Sequence, residues 1–86
     1  MEHSFNVEIA IKYGIEEAIL FKNISFWIKK NRANNENYYA NTYWTYNSIR
    51  AYKELFPYLT TYQIKQALKH LVDTKMIEIG NFNKSN

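Results

Sequence analysis

The chain has 86 residues, 47% of them apolar, with five Phe, eight Tyr and two Trp. That is enough bulk for one core but not for two, since domains cluster at about 100–150 residues. The absence of cysteine removes disulfides, thiolate nucleophiles and cysteine-held metals. The formal net charge is +3, unevenly placed: residues 1–21 set one lysine against four glutamates, while residues 22–86 set ten Lys and Arg against four acids. A cationic body of this kind attracts a polyanion or serves as a solvated face, and charge alone does not separate the two.

The first predicted element covers residues 5–13, a short helical extension that ends at Gly14, read as a left-handed cap. Ile15-Glu16-Glu17 then opens a helix with an acidic first turn, running to about residue 32, where Lys29, Lys30 and Arg32 suit the negative end of the dipole. Leu20, Phe21, Ile24, Trp27 and Ile28 share its core stripe. Ile19 and Phe26 fall on the other side, where they require a second cover, either residues 5–11 or a second protomer. Residues 31–37 read as a polar loop.

Residues 38–46 are rich in Tyr, Trp and Thr, and their end, 43–46, reads as a strand. Asn47 is the expected N-cap of a two-turn helix limited by Pro57. After a Pro-Tyr-Leu corner, Thr60-Thr61-Tyr62-Gln63 has the form of a capping box. In the helix that follows, Ile64, Ala67, Leu68, Leu71 and Val72 share one face; Tyr62, Lys65, Gln66, Lys69 and Asp73 share the other. Residues 75–80 read as a second strand, antiparallel to the first, with a turn at Gly80-Asn81.

This order predicts one domain over residues 1–86, mainly α with a small β-sheet. It has a helix-turn-helix at about 47–73 and a partial wing at 75–86, which makes it a winged helix-turn-helix. The chemistry would lie on the outer face of the helix that starts at Thr61. Lys65 and Lys69 can neutralise phosphates or contact guanine, Gln66 can pair with adenine, and Tyr62 can reach a phosphate or a thymine methyl. Asn47, Ser48 and Arg50 open the preceding helix, a common phosphate contact, and Lys75 and Lys84 flank the final turn. The expected partner is DNA, read as duplex because its major groove admits one helix.

Four strings then carry a resemblance: Tyr43-Trp44-Thr45-Tyr46-Asn47-Ser48-Ile49, Glu54-Leu55-Phe56-Pro57-Tyr58-Leu59-Thr60, Ala67-Leu68-Lys69-His70-Leu71 and Gly80-Asn81-Phe82-Asn83-Lys84-Ser85. With Asn6-Val7-Glu8-Ile9-Ala10 and Phe26-Trp27-Ile28-Lys29-Lys30-Asn31, the chain resembles the N-terminal winged-helix domain of phage, prophage and plasmid replication proteins of low-GC Gram-positive bacteria, the replisome organisers and DnaD-like initiators. The resemblance implies DNA binding in replication initiation, contact with other replisome proteins and self-association. Relatives continue past the Asn-Lys-Ser turn into another aromatic strand and further domains, so the expected wing is truncated.

Other classes are weighed beside this one. An assembly module would use Ile19 and Phe26 as an oligomer interface, and a transcriptional regulator would share the same groove chemistry. Tyr38, Tyr39, Tyr43, Trp44 and Tyr46 resemble a stacking platform for unpaired bases, but core and strand packing accounts better for most of them. His3 and His70 are distant in sequence and lack carboxylates at ligand spacing, so no metal or other cofactor is expected. No nucleophile–base pair, glycine-rich phosphate loop or paired carboxylates point to an enzyme. No apolar run approaches the roughly 18 residues needed to cross a bilayer. The start, Met-Glu-His-Ser-Phe-Asn, lacks the features of a secretory signal, so a cytoplasmic protein without membrane contact is expected.

Overall fold

The computed structural model describes residues 1–80. Four helices and one small hairpin follow in order: α1 (Val7–Tyr13), α2 (Ile15–Ala33), β1 (Tyr38–Tyr39), β2 (Thr42–Tyr43), α3 (Ile49–Leu55) and α4 (Thr61–Asp73). The domain is thus mainly helical with a two-stranded antiparallel sheet.

Asn6 starts α1 by accepting a hydrogen bond from Ile9 N at 3.0 Å. Gly14 ends that helix and begins α2: its N–H donates to Ala10 O, and its carbonyl accepts from Ala18 N. Its backbone is at φ 120°, ψ 157°. This is a positive-φ extended conformation and not the left-handed cap expected, so the chain changes direction between two helices without an intervening loop. A Cβ there would collide with the Glu17 carboxylate, a second reason for glycine.

Helix α2 is the central element, in contact with both α1 and α4. Its Ala18, Ile19, Leu20 and Ile24 are buried. The core joins Ile19, Leu20 and Ile24 to Tyr52 and Phe56, to Leu59 of the corner, and to Ile64, Ala67 and Leu71 of α4. Each large side chain removed from water here contributes about 1.5–3 kcal/mol of transfer free energy. Two expectations for α2 are corrected. Ile19 is 9% exposed and belongs to this core, so it offers no surface for a second protomer, whereas Phe26 is 54% exposed. Trp27, assigned to the core stripe, lies at 36% exposure with Lys30 Nζ over its ring.

The largest correction concerns the sheet. The expected pairing of residues 43–46 with 76–79 does not occur. Instead Tyr38 pairs with Tyr43 and Tyr39 with Thr42, and Trp44 N donates to Asn37 O at 3.0 Å. Ala40 and Asn41 at the tip have φ 50° and 64°, as a two-residue hairpin turn with both central residues at positive φ requires. The second expected strand is consumed by the end of α4. Lys75 N donates to Val72 O and Met76 N to Leu71 O, with Lys75 at φ 64°. These two crossed bonds form a Schellman cap, so the first donors of the would-be strand satisfy helix carbonyls and cannot enter a ladder. Residues 75–80 carry no strand; the rest of the expected wing, 81–86, lies outside the described residues.

Asn31, expected at the start of a polar loop, is a buried residue in the last turn of α2. Its Nδ2 donates to Trp44 O at 2.8 Å, fastening the hairpin's return to the helix. Residues 1–4 pass back over the middle of α2 and the corner: Lys22 Nζ donates to Ser4 Oγ, and His3 Nδ1 lies 2.7 Å from Tyr58 Oη.

Candidate nucleic-acid interface

The corner between α3 and α4 is built from local hydrogen bonds that the sequence encodes. Ser48, not Asn47, caps α3, its Oγ accepting from Ala51 N at 3.0 Å. Asn47 instead hydrogen-bonds the Tyr52 side chain. Phe56 N closes α3 on Tyr52 O, and Leu59 N returns to Phe56 O. Lys53 Nζ donates to Pro57 O at 2.9 Å. At Thr60 the capping box is complete: Gln63 N donates to Thr60 Oγ1, and Thr60 N donates to Gln63 Oε1. Burial of Tyr52 raises its phenol above the ordinary 10.0, and the Asn47 hydrogen bond partly opposes this.

These restraints present α4 with two unlike faces. Ile64 and Leu71 are fully buried and Ala67 nearly so, while Thr61, Tyr62, Lys65, Gln66 and Lys69 are all exposed. Tyr62, at 71% exposure, stands at the start of the helix and the three polar residues follow over two turns, as expected from the 3.6-residue period. The cations on this face differ in availability. Lys69 Nζ is held by Asp73 Oδ2 at 2.8 Å, whereas Lys65 and Lys75 have no carboxylate at ion-pair distance among the described residues.

The other sites expected from sequence are partly gathered. Asn47, Ser48 and Arg50 are exposed at the start of α3, with Arg50 Nε 3.7 Å from Glu54 Oε2 on side chains 90% and 72% exposed. No hydrogen bond or ion pair among the described residues links them to the α4 face. Lys84 lies outside the described residues. Ile19 and Phe26 line one shallow cleft under residues 1–4, the first buried and the second at its rim.

Sequence reasoning missed three features. Val7 and Ile11, four residues apart on α1, are 64% and 81% exposed, a spacing that was a readable signal, and Ile15, which opens α2 beyond the Gly14 joint, is 56% exposed. His70, distant from Glu17 in sequence, reaches its carboxylate. Tyr38, Tyr39 and Tyr46, assigned mainly to packing, are 51%, 41% and 85% exposed. Among the described residues no cluster of three His, Asp or Glu has metal-binding geometry, and no helix is long and apolar enough to cross a membrane. No protein-family model, curated protein or solved structure matches the chain.

Proposed function

We propose that the chain is a cytoplasmic duplex-DNA-binding module of the winged helix-turn-helix type, with α3, the corner and α4 as the bihelical unit and α4 as the helix that enters the major groove. The observation that carries this reading is the exposed row Tyr62, Lys65, Gln66 and Lys69 on a helix whose other face is fully committed to the core. A groove about 12 Å wide admits one helix, and side chains pointing away from the core are the ones that reach base edges and phosphates. Lys65 and Lys75 supply free positive charge. The N-terminus of α3, with Ser48 and Arg50, offers a further phosphate contact. The resemblance of the corner strings to replisome organisers and DnaD-like initiators favours replication initiation as the setting.

Fluorescence anisotropy with a labelled duplex at several salt concentrations tests this. Binding should fall steeply with salt, and Lys65→Ala with Lys69→Ala should lower the slope of log K against log salt by about 2. Absence of duplex binding at low salt ends the reading.

A second reading, an assembly module that self-associates, is favoured by the exposed Val7 and Ile11 of α1 and by Ile15 and Phe26 of α2. Patches of this kind more often mark contact surfaces than bare solvent faces. Sedimentation of the wild type and of Ile11→Glu separates it from the first: a wild-type monomer rejects it, and a mass that falls on substitution supports it.

A further inference from the structure

Where the α2 C-terminus meets the hairpin, a cation stands beside two aromatic rings. Arg32 Cζ stands 5.8 Å from the centroid of the Tyr43 ring, and that ring in turn lies 4.9 Å from Tyr38, tilted by 59°. Tyr38 is 51% exposed, so half of this large ring faces water. That exposure is costly for a side chain whose β1 position could have been filled by a polar residue.

We propose that this surface is a second binding site, for single-stranded nucleic acid, in which an unpaired base stacks on Tyr38 and an adjoining phosphate meets Arg32. Stacking suits any base, since each has a π-face, and a cation beside an aromatic platform is the arrangement used for sequence-tolerant strand binding. The surroundings match a polyanion: Lys29, Lys30 and Arg32 are opposed between residues 29 and 46 only by Glu36. The platform is also held still. Tyr43 Oη donates to Asn35 Oδ1 at 3.1 Å, Asn31 fixes the strand after it, and the hairpin turn is only two residues long. A stacked base therefore does not have to order a loose loop, and less binding free energy is lost. The site is distinct from the α4 face and does not depend on duplex binding there.

The test is anisotropy of a labelled oligo(dT) of about ten nucleotides, a length within the range one small domain covers, at low salt. The wild type should bind. Tyr38→Ala should weaken binding about 5- to 150-fold, Tyr38→Phe should keep it, and an abasic strand of equal length should bind wild type as weakly as oligo(dT) binds Tyr38→Ala. Should Tyr38→Ala fail to fold by circular dichroism, Arg32→Gln carries the test: it should weaken binding and lower the salt slope by about 0.7. Three results overturn the proposal: no oligo(dT) binding, equal binding of the abasic strand, or loss of binding on Lys65→Ala with Lys69→Ala but none on Tyr38→Ala. Since duplex affinity of Tyr38→Ala should equal that of wild type, failure of this site and failure of the α4 reading are told apart.

Discussion

Glu17 Oε2, in the first turn of α2, lies 2.7 Å from His70 Nδ1, in the last turn of α4. The Glu17 side chain is 13% exposed and that of His70 45%. The Tyr13 ring, at the end of α1, meets the His70 ring edge-on at 6.2 Å. Three helices separated in sequence are thus pinned at one point, beside the Gly14 joint, and a carboxylate at a helix N-terminus is favoured there by the dipole as well.

Gly14→Ala should destabilise the domain by about 2 kcal/mol, because its φ of 120° strains any L side chain and the new methyl displaces the Glu17 carboxylate. Urea denaturation of Gly14→Ala, Glu17→Ala and the double variant resolves the two causes. The cost of the alanine should shrink by at least about 0.5 kcal/mol when Glu17 is already gone. Strict additivity would mean that Glu17 swings clear at no cost. Glu17→Ala by itself should cost about 1 kcal/mol, the loss of one hydrogen bond whose His70 side is still 45% exposed.

Leu71 is fully buried in the core, and its carbonyl accepts from both Met76 N and Ile77 N. Leu71→Ala should cost about 2–5 kcal/mol, the transfer loss plus a cavity that neighbouring helices fill only in part. The denaturant midpoint should fall with the slope unchanged. A loss under about 1 kcal/mol would place Leu71 outside the packed core.

Alkaline stability should depend on Tyr52. Its phenol is raised above the ordinary 10.0 by burial, so the folded state holds the proton more tightly than the unfolded chain. The stability this confers is fully present below about pH 10 and is lost as pH rises through the folded value. Denaturation at pH 8 and pH 11 should show a fall for wild type that Tyr52→Phe reduces. At pH 8 the substitution should cost about 1 kcal/mol for the lost Asn47 hydrogen bond. An equal fall in both proteins would assign the alkaline loss to other groups.

Asp73 holds Lys69 at 2.8 Å on the outer face of α4, so it competes with a phosphate for that cation. Asp73→Asn should tighten duplex binding with the salt slope little changed, because Lys69 already meets a phosphate in the wild-type complex, while Asp73→Asn with Lys69→Ala should lower the slope by about 1. Unchanged affinity in Asp73→Asn would remove Lys69 from the interface.

Thr60→Ala should lose one side of the reciprocal cap at the start of α4 and cost about 1 kcal/mol. Thermal melting reads this directly, and Thr60→Ser should recover most of it. No change would mean that packing of Ile64 and Leu71 alone fixes the helix start.

The helices and the capping box of α4 were legible because their signals are local. A cap, its partner three residues on and an apolar repeat every three or four residues lie within one or two turns, so the Gly14 joint, the Thr60–Gln63 box and the polar row on α4 could be read without knowing what surrounds them. The one-residue shift of the α3 cap from Asn47 to Ser48 is of the same local kind, since both neighbours are good caps and it is Ser48 Oγ that accepts from Ala51 N.

Strand pairing and the cover of a two-sided helix were not legible, because both depend on residues far apart in the chain. Residues 43–46 and 76–79 have suitable strand composition. Whether they pair depends on where Lys75 and Met76 spend their donors, and the Schellman cap of α4 claims them first. Ile19 and Phe26 share a side of α2 on a helical wheel, yet only the packing of α3 and the corner against that side buries one and leaves the other at a rim. Sequence by itself therefore determined the helices, the capping box of α4 and its polar face, since these follow from short-range hydrogen bonding and periodicity. Tertiary structure alone decided the hairpin, the fate of Ile19 and the exposed rings beside Arg32, since there the competing partners for each group meet only once the chain has folded.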